Sequence, residues 1–214
     1  MSLLVLIADD HFPVRYGLEI LTREILGNNT RIDFAKDFDE VVAKIKEKKY
    51  DILLSDIIMP GMDCLAMMEQ ALTILPQLKV LCVSVNPKEI FASRYMKAGA
   101  YGYVCKSDSD EELKKAIRSI YLGKRYFPEI SVNKHGDSQM SKEANSLFDL
   151  LSKREFSVML LLLEGLGVIE IAHKLNFSPS TASTYRGRIF EKLKIKGLVE
   201  LSNMARANHI VIDK

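Results

Sequence analysis

Hydrophobic positions in the first 122 residues follow two periods that alternate along the chain. Short apolar runs have the length of buried strands, and between them apolar residues recur every three to four positions, as on one helix face. The predicted strands are Leu3–Ala8, Arg31–Ala35, Ile52–Ser55, Val80–Val83 and Gly102–Val104. The predicted helices are Phe12–Leu26, Phe38–Lys48, Asp63–Leu75, Lys88–Ala98 and Asp110–Leu122. This alternation predicts a doubly wound α/β fold with a five-stranded parallel sheet covered on both faces.

The periodic pattern stops near Gly123. Residues 123–148 include Pro128 and Gly136 and have no sustained periodicity, so we interpret them as a linker. Beyond them the pattern is helical, with predicted helices at Lys153–Glu164, Val168–Leu175, Pro179–Lys194 and Leu198–Asn208. We therefore expect an α/β domain at residues 1–122, a linker at 123–148 and a small all-α domain at 149–214.

Composition and charge narrow the class of protein. Of the 214 residues, 48% are hydrophobic and 27% are charged, which is typical of globular domains. No apolar run approaches the roughly 20 residues that span a bilayer. The first residues carry no basic leader, so we expect a cytoplasmic protein without a membrane segment. The net charge is −2 over residues 1–122 and +3 over residues 149–214, an asymmetry that favours nucleic-acid binding by the second domain.

The three cysteines, Cys64, Cys82 and Cys105, are odd in number. Their spacing is neither a CxxC motif nor a zinc-binding pattern. We expect them to be buried thiols in a reducing compartment.

Polar side chains follow four of the predicted strands. Asp9 and Asp10 come after the first strand, Asp56 after the third, Ser84 after the fourth and Lys106 after the fifth. Because ligands of open α/β sheets bind outside the carboxyl ends of the strands, these side chains are expected to share one site.

The chemistry of that site follows from its residue types. Crowded carboxylates repel one another unless a cation joins them, and oxygen ligands of this kind suit Mg²⁺. One carboxylate can act as a nucleophile, while an ammonium group and a hydroxyl bind phosphoryl oxygens. The sequence therefore predicts a magnesium-dependent site that accepts a phosphoryl group.

The same residues carry a family resemblance. The first domain resembles the receiver domains of two-component systems through Ala8-Asp9-Asp10, Ser55-Asp56-Ile57-Ile58-Met59-Pro60-Gly61-Met62-Asp63, Ser84 and Gly102-Tyr103-Val104-Cys105-Lys106. The resemblance covers essentially all of residues 1–122 and implies a flavodoxin-like fold with Asp56 as the phosphoacceptor. It further implies that Mg²⁺ is held by Asp10, Asp56, the carbonyl of Ile58 and, through water, Asp9.

The resemblance also implies a switch. Ser84 and Tyr103 would form the switch pair, with the hydroxyl moving toward the phosphoryl group and the ring turning inward, while Lys106 would bind the phosphoryl group. The alternative for Tyr103 is an edge-strand aromatic with its hydroxyl in water. Two positions depart from the family pattern. Val85 replaces a small residue and is expected to narrow access to Asp56, and Cys64 replaces a common glycine and is expected to alter the start of its helix.

The C-terminal domain shows helix-capping signals. Ser152 with Glu155 three residues later predicts a capping box, and Gly165 and Gly167 are expected to end that helix. Residues 170–175 predict a short amphipathic helix, and residues 176–177 a turn. Ser178 with Pro179 then predicts the start of the next helix.

That next helix has a small, hydroxyl-rich polar face. Ala182, Tyr185, Ile189 and Leu193 share one side and are expected to face the core. The opposite side offers a close approach to a DNA major groove, through Ser180, Ser183, Thr184, Gly187 and Arg188. Residues flanking that side could reach phosphates, namely Thr181, Arg186 and Lys192. An ordinary helical bundle with a polar solvent face is the alternative.

This domain resembles the LuxR-type helix-turn-helix over residues 149–214. The matching residues are Leu151-Ser152-Lys153-Arg154-Glu155, Gly165, Glu170-Ile171-Ala172, Leu175, Ser178, Thr181, Ile189 and Lys192-Leu193. Joined to a receiver, this is the arrangement of NarL/FixJ-type regulators. It implies a homodimer on a two-fold-related DNA site, with the last helix as the dimer contact.

The departures from that family are specific. Val168 and Ile169 replace residues that are often polar or basic, and we expect both to be buried, with contact to a protein partner as the alternative. Ser183 and Gly187 stand where basic residues are common, so we expect modest DNA affinity.

The resulting hypothesis is a phosphorylation-gated transcription regulator and not an enzyme. Its expected partners are a sensor histidine kinase, double-stranded DNA and a second copy of the chain, with RNA polymerase as a further candidate. Three alternatives stay open: a phosphorylation-independent DNA-binding protein whose receiver is a dimerisation module, an aspartate-nucleophile phosphatase, and a phosphate-regulated binding protein that does not contact DNA. The adjacent Asp9 and Asp10 argue against the phosphatase, which uses an Asp-x-Asp arrangement.

Overall fold

The structure, a computed structural model, describes residues 3–127 and 147–210. The chain divides into two compact units, with the division between Glu129 and Ile130. Most of the predicted linker, including Pro128 and Gly136, lies outside the described residues. Each unit is described by itself below.

The first unit is built on a five-stranded parallel sheet with the order β2-β1-β3-β4-β5. Its strands are β1 (Leu4–Ala8), β2 (Arg31–Ala35), β3 (Ile52–Ser55), β4 (Lys79–Ser84) and β5 (Gly102–Cys105). Its helices are α1 (Phe12–Leu26), α2 (Phe38–Glu47), α3 (Cys64–Ile74), α4 (Lys88–Lys97) and α5 (Asp110–Tyr121). The predicted fold class is confirmed, and no predicted bound differs from the observed one by more than one residue.

The central strands are buried because helices cover both faces of the sheet. Val5, Ile7, Leu54 and Leu81 have no exposed surface and pack in one core cluster. In the parallel register Ala8 pairs with Ser55, and Ser84 pairs with Cys105. Because these strands end at the same level of the sheet, the residues that follow them lie along one edge.

Polar groups at the helix starts explain where several helices begin. The side chains of Asp37, Asp63 and Ser109 each accept a hydrogen bond from a backbone N–H in the first turn of α2, α3 and α5. These caps satisfy amide groups that have no partner within the helix. Asp63 therefore serves the start of α3.

The second unit is helical where the structure describes it. Its helices are α6 (Lys153–Leu163), α7 (Val168–Lys174), α8 (Pro179–Leu193) and α9 (Leu198–Ala207). The predicted capping box of α6 is confirmed: Ser152 N donates to Glu155 Oε2 at 2.7 Å and Glu155 N donates to Ser152 Oγ at 3.3 Å. Asn176, with φ 56°, makes the tight turn between α7 and α8.

Two expectations for this unit are wrong. Gly165, with φ 90°, follows the end of α6, but Gly167 is the N-cap of α7, and its N–H donates to the Glu170 carboxylate at 2.6 Å. The sequence pattern missed this Glu170 contact. Val168 and Ile169 were both expected to be buried, but Val168 is only half-buried, and Ile169 is 63% exposed because it lies on the outer face of the short helix α7.

All three cysteines are buried and free, as expected. Among residues 3–127 and 147–210, no helix is long and apolar enough to span a membrane.

Candidate functional site

Two buried carboxylates and one lysine meet where β1, β3 and β5 end. Asp9 is 0% exposed and Asp56 is 2% exposed. Lys106 Nζ lies 2.7 Å from Asp9 Oδ2 and 2.5 Å from Asp56 Oδ2. The ammonium group therefore bridges two carboxylates that would otherwise repel each other at close range.

Backbone groups fix the carboxylate of Asp56. Its Oδ1 accepts hydrogen bonds from the N–H groups of Ile57 at 2.6 Å and Ile58 at 3.0 Å, and its own N–H donates to the carbonyl of Ala8 at 2.8 Å. Burial raises the pKa of Asp56 to about 6, although Lys106 and the Ile58 N–H lower it. The carboxyl is thus mainly ionised at pH 7 and held in one orientation.

Lys106 experiences opposing effects. Burial of its ammonium group lowers its pKa, but the charges and hydrogen bonds of Asp56 and Asp9 outweigh that effect, so the net pKa is raised. The lysine stays charged at neutral pH. Two carboxylates against one ammonium leave the buried group with an excess negative charge, which favours a further cation.

Asp10 and His11 form the outer rim. His11 Nδ1 lies 3.0 Å from Asp10 Oδ1, and His11 N donates to Asp9 Oδ1 at 2.8 Å. Potential metal-ligand atoms of Asp9, Asp10 and His11 all lie within 4.8 Å of one another. Asp56 is joined to this group through Lys106. The sequence analysis did not single out His11, and its position directly after the aspartate pair was the available signal.

Ser84 and Tyr103 are both fully buried beside this group. Ser84 Oγ accepts from Asn86 N at 3.1 Å, and Tyr103 OH donates to the carbonyl of Asn86 at 3.0 Å. Cys105 Sγ lies 3.2 Å from the same carbonyl. The alternative that the Tyr103 hydroxyl lies in water is wrong. Asn86, which the sequence analysis missed, connects the two predicted switch residues.

The buried side and the exposed side of α8 lie where the sequence predicted them. Ala182, Ile189 and Leu193 are buried, and half-buried Tyr185 packs against Phe177 with ring centroids 5.4 Å apart. The predicted contact residues are mostly exposed, with Arg186 half-buried and Ser180, Thr181, Ser183, Thr184, Gly187 and Arg188 exposed.

Hydroxyl groups at the start of α8 bond among themselves. Ser178 Oγ lies 2.8 Å from both Ser180 Oγ and Thr181 Oγ1, and it accepts from Thr181 N at 3.1 Å. Thr184 Oγ1 donates to the carbonyl of Ser180 at 2.9 Å. These bonds hold the small polar side chains close to the helix, which leaves room for a close approach to its surface.

Lys192, a predicted phosphate contact, is used inside the domain. Its Nζ lies 2.6 Å from Glu155 Oε2 and donates to the carbonyl of Leu150 at 3.1 Å. Burial raises the pKa of Glu155, but its bonds to Lys192 and Ser152 outweigh burial, and the net pKa is lowered. The ammonium group of Lys192 thus pairs with Glu155, the acidic residue of the α6 capping box. We therefore do not assign Lys192 to the proposed DNA contacts.

Comparison with known families accounts for both units. The model for response regulator receiver domains matches residues 5–118, and the model for bacterial regulatory proteins of the luxR family matches residues 149–205. The chain is a response regulator of the NarL/FixJ type. It combines a receiver domain with a LuxR-type DNA-binding domain, the arrangement of a DNA-binding transcription regulator, and neither matched family is one of aspartate-nucleophile phosphatases.

Relatives of this response regulator match it along nearly its whole length. Response regulator GacA of Pseudomonas viridiflava is 38% identical over 210 residues, covering 98% of this chain and 97% of the relative. Response regulator UvrY of Escherichia coli K12 is 34% identical over 202 residues, covering 94% of this chain and 92% of the relative.

A solved structure is similar over both units. It is RcsB from Salmonella enterica serovar Typhimurium bound to promoter rprA in the presence of the phosphomimetic BeF₃⁻. The TM-score is 0.78 and the sequence identity 25%, with 95% of this chain and 98% of that chain covered. Receiver domains of response regulators generally bind Mg²⁺ at an acidic pocket, and the oxygen donors of Asp9, Asp10 and Asp56 are of the type that this ion prefers.

Proposed function

We propose that a sensor histidine kinase transfers a phosphoryl group to Asp56 and that this modification controls DNA binding through α8. In this proposal residues 1–122 are the receiver, 123–148 the linker and 149–214 the DNA-binding domain. The observation that carries the proposal is the bridge of Lys106 between the buried carboxylates of Asp9 and Asp56. A buried cation between acidic groups at the carboxyl ends of a parallel sheet is suited to a phosphoryl group.

Asp56 is the nucleophile in this reaction. One of its carboxylate oxygens forms a bond to phosphorus as the P–N bond of the kinase phosphohistidine breaks, and the phosphoryl group becomes an acyl phosphate. The carboxyl has a pKa of about 6, so it is ionised at neutral pH. Lys106 then pairs with the phosphoryl oxygens in place of the Asp56 carboxylate, since its charge is already at this position.

Mg²⁺ fits the donors of this pocket. Asp10, Asp56 and the carbonyl of Ile58 would hold it, with Asp9 acting through water. The excess negative charge that remains beside Lys106 supports this assignment. When bound, the ion neutralises charge on the phosphoryl oxygens.

Ser84 and Tyr103 are the proposed switch pair. In this proposal the hydroxyl of Ser84, whose oxygen accepts from Asn86 N, donates a hydrogen bond to the phosphoryl group. Asn86 also accepts from Tyr103 OH, so a movement of residues 84–86 is felt by the Tyr103 side chain. This shared partner supports coupling between the pair.

DNA recognition is assigned to the exposed side of α8, with Arg188 near its middle and Arg186 at its flank. The complex of the similar RcsB with promoter DNA supports this assignment. Dimerisation is assigned to α9, whose residues Leu198 and Val199 are 45% and 75% exposed. Apolar side chains exposed together at a helix start are suited to an interface between two copies.

The test measures dimer fraction and DNA affinity of the full chain with Mg²⁺ and beryllofluoride, which mimics the phosphoryl group. The DNA is a duplex selected from a random-sequence library with the activated chain. Wild type is compared with Asp56→Asn and with Asp51→Asn, a matched control in which the exposed aspartate precedes the same strand β3. We expect beryllofluoride to raise dimer fraction and DNA affinity in wild type and Asp51→Asn but not in Asp56→Asn.

A second function is motivated by Val85, which is half-buried directly after Ser84. If this side chain closes the pocket, the receiver acts as a dimerisation module and DNA binding is independent of phosphorylation. In that case all three proteins bind DNA equally well and none responds to beryllofluoride, which contradicts the proposed switch.

A further inference from the structure

Residues 124–126, which we call the strap, follow α5 and return along the outer edge of β5. Gly102 and Tyr126 form a parallel bridge. Tyr126 N donates to the carbonyl of Tyr101 at 2.8 Å, and Tyr103 N donates to the carbonyl of Tyr126 at 3.0 Å. The strap thus extends the sheet by one bridge beyond its edge strand.

Side chains reinforce this attachment. The hydroxyl of Tyr126 donates a short hydrogen bond to the carboxylate of Glu112 on α5. This bond holds the pKa of Glu112 below its usual range. The Tyr126 ring packs against the core cluster under the sheet, and the guanidinium of Arg125 lies 5.9 Å from the ring centroid of Tyr101. The strap is therefore attached to the receiver by backbone hydrogen bonds, by the hydroxyl and ring of Tyr126, and by the guanidinium of Arg125.

Gly102 makes the close approach possible. A Cβ atom on this residue would lie 2.8 Å from the carbonyl oxygen of Tyr126, closer than real Cβ contacts allow. The strap can therefore lie at this distance only because the first residue of β5 has no side chain.

The strap and the phosphorylation pocket share one short strand. β5 carries Tyr103, whose N–H is bonded to Tyr126 and whose hydroxyl is bonded to Asn86. Lys106, the bridge between the buried carboxylates, directly follows β5. A change in the position of β5 at the pocket must therefore alter the hydrogen bonds of the strap.

We propose that the strap stabilises the buried position of Tyr103 and so couples the start of the linker to the phosphorylation pocket. This inference rests on the proposed function, in which Tyr103 responds to the phosphoryl group on Asp56. Coupling between two sites is reciprocal. If the phosphoryl group favours buried Tyr103, it tightens the strap, and a weakened strap lowers the affinity of the pocket for a phosphoryl mimic.

The test uses the full chain with Mg²⁺ and excess fluoride, titrated with beryllium and followed by the NMR cross-peak of the Tyr103 amide. Tyr126→Phe removes only the bond to Glu112, and Tyr126→Ala also removes the ring. Tyr121→Phe is the matched control, because this tyrosine lies at the end of α5 and is 48% exposed. Hydrogen exchange at the Tyr126 amide is measured in wild type with and without beryllofluoride.

We expect beryllofluoride affinity to fall about threefold in Tyr126→Phe, because the lost hydrogen bond is partly exposed and only part of its strength depends on the state of the pocket. In Tyr126→Ala it should fall about tenfold, while Tyr121→Phe matches wild type. Beryllofluoride should slow exchange at the Tyr126 amide in wild type.

Two outcomes would overturn the proposed coupling between the strap and the phosphorylation pocket. One is unchanged affinity in both Tyr126 variants while wild type responds to beryllofluoride, and the other is exchange at Tyr126 that beryllofluoride does not slow. Failure of the proposed function is distinct, because wild type itself would then not respond at all. Since Tyr126→Phe keeps the ring and the backbone bridge, it gives a result even if Tyr126→Ala fails to fold.

Discussion

Replacing Asp56 with asparagine should stabilise the receiver unit, and the gain should depend on pH in a defined direction. Burial raises the pKa of Asp56 from 3.8 to about 6. A carboxyl whose folded pKa exceeds its unfolded pKa binds protons more tightly in the folded state. Its contribution to stability is therefore complete below about pH 4 and is lost as pH rises through the folded pKa.

The magnitude follows from the size of that pKa shift. The two pKa values in the folded and unfolded chain differ by about 2 units, which corresponds to about 3 kcal/mol in the free energy of unfolding. Water does not screen this effect, because Asp56 is only 2% exposed. Asparagine has no charge to bury, so Asp56→Asn avoids this loss. Its advantage over wild type should grow by about 3 kcal/mol between pH 4 and pH 7.

The assay is a urea titration of the full chain at a series of pH values with EDTA present, so that divalent ions do not bind the carboxylates. NMR cross-peaks of amides in β1 and β3 report unfolding of the receiver unit separately from the helical unit. The difference between variant and wild type cancels the titration of all other groups. The same comparison is made with Lys106→Met in both proteins. Lys106 lowers the pKa of Asp56, so its loss should shift the pH range over which the advantage of Asp56→Asn grows to higher pH.

The reasoning would be refuted by an advantage of Asp56→Asn that is constant with pH or that shrinks as pH rises. A constant advantage would mean that folding leaves the pKa of Asp56 unchanged. An advantage that shrinks as pH rises would mean that the ionised carboxylate is stabilised in the folded state, with Lys106 and the backbone N–H groups outweighing burial. If the pH range over which the advantage grows is the same in Lys106→Met, the charge of Lys106 does not control the pKa of Asp56.

Three further predictions concern the helical unit. Glu155→Gln removes the charge that pairs with Lys192, and we expect a loss of about 1–2 kcal/mol in unfolding free energy, measured by chemical denaturation; an unchanged midpoint would contradict it. Arg186→Ala should weaken DNA binding and reduce the slope of log affinity against log salt by about one, measured by fluorescence anisotropy; an unchanged slope would exclude a phosphate contact by Arg186. Val199→Glu should lower the dimer fraction in sedimentation without lowering the melting temperature, and unaltered dimers would place the interface elsewhere.

The order and type of the elements could be predicted from the sequence because the signals for them are local. Short continuous apolar runs distinguish the buried strands from helices, whose apolar residues recur every 3.6 positions, and Ser152 with Glu155 marks the start of α6 within four residues. The polar residues that follow strands were also predictable, since parallel strands bring their carboxyl ends to one edge. Ile169 was mispredicted because apolar character alone does not say which face of the short helix α7 meets the core.

The sequence by itself thus determined the two folds, the candidate phosphoacceptor Asp56 and the exposed side of α8. Only the tertiary structure decided which charges are paired. Lys106 reaches Asp56 across 50 positions, and Lys192 reaches Glu155 across 37. It also decided that Tyr126 lies against β5. The physical reason is that periodicity assigns a residue to a face, whereas a pKa or an ion pair depends on distance and burial, which arise only when remote segments pack together.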